Sequence, residues 1–368
     1  MTEIGFGTPA QKIRTILSLS ESNIFVPSPK CKETCIGHQL YSAEFSTTSQ
    51  AIDQDFEFTY SYCNVFGDKL VDTVSINSAE IPHQSFGAVG TILRTSESNW
   101  GNNEWDGVLG LSPSSSNESL LQNVLSQNLL DANVFSLKLP RRQDDPGELR
   151  FGGINHDFYE ESLRTLKVKQ ETNHAKDSGS ASNELPKNEI AGRWQFDATS
   201  FSVTGSKTSL DGYTAILKTD YPGIGLPEIM AGQLNSYLNM QDMSRNLPSV
   251  HCSMRKGMPE VTVQLGKEDF ILTPYDYTLE VDIGDIGGHR CVSLFMPLLE
   301  EGEEDQETII LGSAFLRAWY GVFDFEKRQV GFGKVKPLFE DVEETQSTEQ
   351  KPKGFGTDDG IEGLGFLD

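Results

Sequence analysis

Two short polar turns hold the groups in this chain whose types suit chemistry: Ser18-Leu19-Ser20-Glu21 and Lys218-Thr219-Asp220. Hydroxyls, carboxyls and an amine are the side chains that serve acid–base or nucleophilic catalysis when a fold holds them together. Each turn is approached by an apolar, β-rich run, and the first leaves through an apolar exit closed by proline in "TILSLSESNIFVPSPKC", Thr15 to Cys31. That first turn has the shape of an active-site turn and lacks the acid such a turn usually displays at its tip.

The elements around the turns repeat. "RTILSLSESNIFVP" (14–27) parallels "YTAILKTDYPGIGLP" (213–227), and "WDGVLGLSPS" (105–114) parallels "TIILGSAFLRAWYGVFD" (308–324). Two copies at a similar offset predict a duplicated lobe rather than a solenoid. Within each copy, a strand ends in a polar turn, and a Gly-interrupted apolar run follows much later. The segment "ESLLQNVLSQNLLDAN" (118–133) spaces its apolar residues for a helix.

Composition places these elements in a mostly β protein. Of 368 residues, 34 are Gly, 16 Pro and 21 Phe, and long runs of Ala, Leu, Glu and Lys are missing. The length suffices for two domains, each with its own core. A formal net charge of −24 excludes nucleic acid as a partner, because phosphate backbones would be repelled. No apolar run is long enough for a membrane helix, so no membrane span is expected, and no signal peptide precedes the first motif.

Cys31 and Cys35 have Cys-x3-Cys spacing with no His or further Cys at finger-like spacing, which favours disulfides over zinc. With five cysteines one is left over, and Cys63 is expected to be the free thiol. The six histidines, at 38, 83, 156, 174, 251 and 289, form no metal or nucleophile motif and read as surface residues. "GFGTPAQ" lacks the glycine spacing of a dinucleotide site, so neither cofactor nor metal is expected. The sequon Asn117-Glu118-Ser119 is compatible with secretion.

The set "IGFGTPAQKIRTIL", "SNIFVPS", "FTY" at 58–60, "WDGVLGL", "LRFGGIN", "GRWQF" and "IILGSAFLRAWYGVFDFEKRQVGF" resembles, in family order, the pepsin-like aspartic proteases across about residues 3–335. The resemblance implies the bilobal pepsin-like acid protease fold, with a cleft between two similar β lobes and a hairpin flap over it. It divides the chain into an N-terminal lobe with flap (1–168), a polar insertion loop (169–189), a C-terminal lobe (190–336) and an acidic, disordered tail (337–368). It further implies a monomer with a peptide or protein ligand in its cleft, an extracellular or vacuolar/lysosomal-type compartment, and disulfides Cys31–Cys35 and Cys252–Cys291.

In that family each lobe donates one Asp from an Asp-Thr-Gly turn, and the two carboxyls share a proton. Laid over that pattern, the catalytic positions hold Ser18 and Lys218. Leu19 and Thr219 hold the threonine positions, and Ser20 and Asp220 the glycine positions. The family's clasp of two threonines across the lobes is thereby halved, since Leu19 has no side-chain donor. The flap tyrosine, Tyr60, is retained, and a tryptophan common behind the first turn is Phe25. Asp-Ser-Gly at 177–179 lies in the polar insertion with no strand before it.

Three activities remain open on these residues. The first is an inactive homologue that binds in its cleft through Ser18, Glu21, Tyr60, Lys218, Thr219 and Asp220, and the second is an aspartic-type endopeptidase with carboxyls relocated to Glu21 and Asp220. The third is a Ser18–Lys218 hydrolase. Lys218, on a desolvated floor, is expected to pair with Glu21 or Asp220 and to keep such an acid ionised.

Overall fold

The computed structural model describes residues 1–60, 63–77, 79–94, 103–114, 116, 118–141, 145–169, 192–240, 242–244, 247–282, 289–298 and 307–336. The sequon's Asn117, the Asp-Ser-Gly at 177–179, nearly all of the insertion and the tail lie outside them. Among the described residues strands dominate, and no helix is long and apolar enough to cross a membrane.

Strands of the first half form a seven-stranded sheet, in which the order places the turn-bearing strand Gln11–Ser18 beside Gly107–Gly110. These two run parallel, from Thr15 opposite Gly107 to Ser18 opposite Gly110, and Ile24–Pro27 returns antiparallel on the other side of Gly107–Gly110. The second half repeats this motif: Thr214–Leu217 runs parallel to Thr308–Leu311, and Ile224–Leu226 returns antiparallel to it. The repeat read in the sequence is therefore a repeat of strand pairing.

Both copies need glycine at one place for the same reason. A Cβ on Gly110 would lie 2.4 Å from the carbonyl oxygen of Asn23 and 2.7 Å from that of Glu21. One on Gly312 would lie 2.2 Å and 2.3 Å from those of Tyr221 and Gly223. Each polar turn thus crosses directly over a glycine of the neighbouring strand, which explains the break in both apolar runs.

A hairpin of Gln50–Tyr60 and Cys63–Ile76 carries Tyr60 at its tip, where Tyr60 stands opposite Cys63. Side chains of Cys63–Ile76 alternate between buried and part-exposed at both ends of the strand, the period of a sheet with one covered face. A five-stranded sheet mixes the halves: Tyr159–Lys167, Gln329–Val335, Trp319–Asp324, Val134–Lys138 and Glu148–Phe151, in that order.

The predicted helix over 118–133 is shorter, Leu120–Ser126. Ser119 caps its start by accepting from Gln122 N. Asn128 adopts φ of 51°, and Leu129 N returns to Val124 O while Asn128 N returns to Leu125 O. This left-handed stop closes the helix, and Leu129 and Leu130 pack on the core from the following loop instead.

Candidate functional site

The first turn begins with Ser18 fully buried at the end of its strand, its Oγ 3.2 Å from Ser20 Oγ. Leu19 is also fully buried. Its backbone N–H donates to Thr219 Oγ1 at 3.2 Å, and the Thr219 hydroxyl in turn donates to Leu17 O. One threonine therefore spans both turns, and nothing from the Leu19 side chain reciprocates. Trp194 adds a second tie, its Nε1 donating to Leu111 O at 2.8 Å while its carbonyl accepts from Leu217 N at 2.9 Å.

The second turn meets the flap. Tyr60 OH donates to Asp220 Oδ2 at 3.1 Å, joining residues 160 positions apart. The Tyr60 ring packs edge-on against Phe25, at 5.9 Å between centroids, and against Trp105, at 6.1 Å. The Phe25 ring offers no hydrogen-bonding group, so the phenol turns to the carboxylate that replaces the family's turn glycine. Burial pushes the Tyr60 phenol well above its ordinary range, and the charge of Asp220 and the bond to it add to the shift. The phenol is a donor here and not an acid.

Glu21 shares this pocket. Its carboxyl is pushed up to about 7, first by burial and then by the charge of Asp220. Lys218 and Arg193 pull in the other direction, with less effect. Lys218 was expected to hold such an acid ionised; at Glu21 its charge does pull the carboxyl down, but desolvation outweighs that attraction. Arg193 was not singled out in the sequence, although "GRWQF" contains it and the structure makes it an electrostatic neighbour of Glu21.

Around the cleft, both expected disulfides are present: Cys31–Cys35 with 5.7 Å and Cys252–Cys291 with 5.0 Å between Cα atoms. Cys63 is a free, buried thiol whose Sγ donates to Tyr60 O at 3.2 Å, and burial pushes it up to about 11. Among the described residues one grouping has metal-ligand proximity, Cys252, Glu280 and Cys291, and the disulfide removes both sulfurs from it. His38 is not the surface residue expected. Its side chain is 2% exposed and its Nδ1 lies 3.1 Å from Asp106 Oδ1, because the buried Asp106 carboxylate gathers Arg14, His38 and the Gln39 backbone around it.

The structure thus brings Ser18, Glu21, Tyr60, Lys218, Thr219 and Asp220 to one place from two equivalent strand ends and a flap. The sequence profile of the "Eukaryotic aspartyl protease" family matches residues 1–335. The chain is 28% identical over 344 residues to "Vacuolar protease A" of Aspergillus fumigatus, covering 91% of this chain and 78% of that protein. It is 29% identical over 342 residues to "Cathepsin D" of Dictyostelium discoideum, covering 89% and 81%, and 28% identical over 345 residues to "Gastricsin" of Oryctolagus cuniculus, covering 90% and 80%. With the paired strand ends, the flap and a match of this extent in agreement, the chain belongs to the pepsin-like eukaryotic aspartyl protease family.

Proposed function

We propose that this chain is a catalytically inactive pepsin-like protein that holds peptide or protein ligands in its cleft. The observation that carries the reading is the pair of groups at the two equivalent strand ends, a Ser18 hydroxyl and a Lys218 amine, where the family's reaction uses two carboxyls sharing a proton. Neither activates water as a carboxylate does, nor can the pair share a proton in that way, and each function is worth orders of magnitude in rate. The clasp by Thr219, the cleft floor and a flap bearing Tyr60 remain, and these are parts that bind rather than react.

Ser18 Oγ lies 3.2 Å from Ser20 Oγ, and a Ser–Lys hydrolase would need the Lys218 amine to serve as the base for that hydroxyl. One observation favours a second reading, an endopeptidase with relocated carboxyls. Glu21 is raised to about 7 partly by Asp220, as a carboxyl sharing a site with another acid would be. Against it, Asp220 Oδ2 is engaged by Tyr60. Names of relatives such as "Vacuolar protease A", with the two disulfides, support an extracellular or vacuolar-type compartment.

Incubation of the purified chain with a denatured protein substrate between about pH 3 and 6, with and without a statine-type inhibitor, tests both readings. Inactivity predicts intact substrate throughout. Inhibitor-sensitive cleavage at acid pH, abolished by Glu21→Gln and by Asp220→Asn, would establish the relocated pair instead.

A further inference from the structure

Away from the two turns, two cations meet one carboxylate, and a third, Arg317, acts on it at longer range. Asp276 lies on the short helix Pro274–Tyr277, Arg317 on the helix Ser313–Ala318, Lys334 on the strand Gln329–Val335, and Arg141 just beyond Val134–Lys138. Arg141 approaches Asp276 Oδ1 at 3.4 Å and Lys334 Nζ approaches Oδ2 at 3.1 Å. The same Oδ2 accepts from Thr273 N and from Thr273 Oγ1, each at 2.9 Å, as the cap of its helix. With three donors already on that oxygen, Asp276 has little capacity left for a third cation.

Arg317 is that third cation. It is half-buried, and its Nε donates to Ser313 O at 3.2 Å. Among the described residues no carboxylate comes within ion-pair distance of it. Its neighbour Arg141 is fixed from two sides: its backbone N–H donates to Asp145 Oδ2 at 2.8 Å, and its Nε donates to Arg317 O at 3.0 Å. Both guanidinium groups therefore spend Nε on a backbone carbonyl, and among the described residues the terminal nitrogens of Arg317 keep an open edge. Asp145 is itself committed to buried Lys138, and Glu260 acts on Lys334 only at longer range.

A partly desolvated guanidinium beside another guanidinium is unfavourable unless an anion joins it. Burial first, and with less effect the charge of Arg141, push Arg317 and Lys334 below their ordinary ranges against the opposing pull of Asp276. In a chain of net charge −24 such a concentration of positive charge is a local exception. We propose that Arg317, Arg141 and Lys334 form a binding site for a tetrahedral oxyanion of the phosphate or sulfate class. Two guanidinium edges supply directed N–H donors to its oxygens, and the ammonium adds a point charge.

Thermal unfolding of the full chain in sodium phosphate, compared with sodium chloride at equal ionic strength, tests the site. Phosphate also stabilises proteins generally by exclusion from their surface, so the informative quantity is the saturable part and its loss in Arg141→Gln. A midpoint that rises and saturates with phosphate at millimolar concentration, with the half-saturation moved at least about ten-fold in Arg141→Gln, supports the site. Equal responses of the two proteins would overturn it. Independently of any variant, the 31P linewidth of inorganic phosphate should broaden with added protein and sharpen again with excess sulfate, and an unchanged linewidth would overturn the proposal. O-phosphoserine binding as tightly as inorganic phosphate would assign the site to a phosphoryl group carried by a larger molecule, whereas binding of inorganic phosphate alone would assign it to the free anion.

Discussion

The two polar turns stand on the same three-strand arrangement, cross the same kind of glycine, and have kept different things. The first, Ser18-Leu19-Ser20, presents only hydroxyls that bond to each other and a leucine that contributes a backbone N–H. The second, Lys218-Thr219-Asp220, keeps the threonine that spans both halves and adds two charges, one of which ties down the flap. Strand register depends on backbone pairing and on apolar packing, and it survives whatever stands at the tip. Tip chemistry depends on single side chains, so it changes without disturbing the sheets beneath.

The largest effect should come from removing the Thr219 clasp between the turns. Thr219→Val keeps the shape and leaves Leu19 N–H and Leu17 C=O without their partner at a buried position. It should destabilise by about 2–4 kcal/mol in urea unfolding, the cost of stranding two buried backbone groups. A loss under about 0.5 kcal/mol would mean that the halves are held by their sheets alone and that the asymmetry of the turns has no structural weight.

Next in size is Glu21→Gln, which tests whether the first turn is strained by its acid. Because the folded pKa of Glu21 is raised to about 7 from 4.5, the unfolded state releases its proton first as pH rises. Stability is therefore lost between those two values and stays low above them. Gln has no proton to lose, so the variant should match the parent near about pH 4 and exceed it by about 1–3 kcal/mol near about pH 8, allowing for partial exposure. A pH-independent difference would place Glu21 in solvent.

Lys218→Met should have the smallest effect and sharpen the contrast between the charged turn and the neutral one. Its charge lowers the pKa of Glu21. Losing it raises that pKa further and should destabilise by about 1 kcal/mol at about pH 8, and by much less at about pH 4, where Glu21 carries its proton in both states. Equal losses at both pH values would show that Lys218 contributes through packing and not through charge.

Much of this arrangement was legible in the sequence, for physical reasons that differ from residue to residue. Apolar runs broken by Gly110 and Gly312 marked the paired strands, because a glycine forced by close backbone approach leaves a visible gap in a hydrophobic pattern. The one-sided clasp followed from Leu19 lacking a hydroxyl, and the disulfides from the match to the family. The partner of Tyr60 was hidden because it depends on a contact between residues 160 positions apart. The burial of His38 was hidden likewise, since only the fold brings Asp106 to it. Glu21 was misjudged from charge alone: the lysine was visible in the sequence and the desolvation that outweighs it was not.

The sheet shared by the two halves has a consequence for how the chain is made. Val134–Lys138 pairs with Trp319–Asp324, which leaves the ribosome about 180 residues later. At ~5–20 residues per second that interval is on the order of ten to forty seconds. During it the nascent first half carries a strand with one edge unpaired and apolar side chains such as Phe135, later fully buried, without their cover. That edge stays uncovered until Trp319–Asp324 has emerged, and a fragment ending before Trp319 would keep the edge bare permanently and should aggregate when expressed alone.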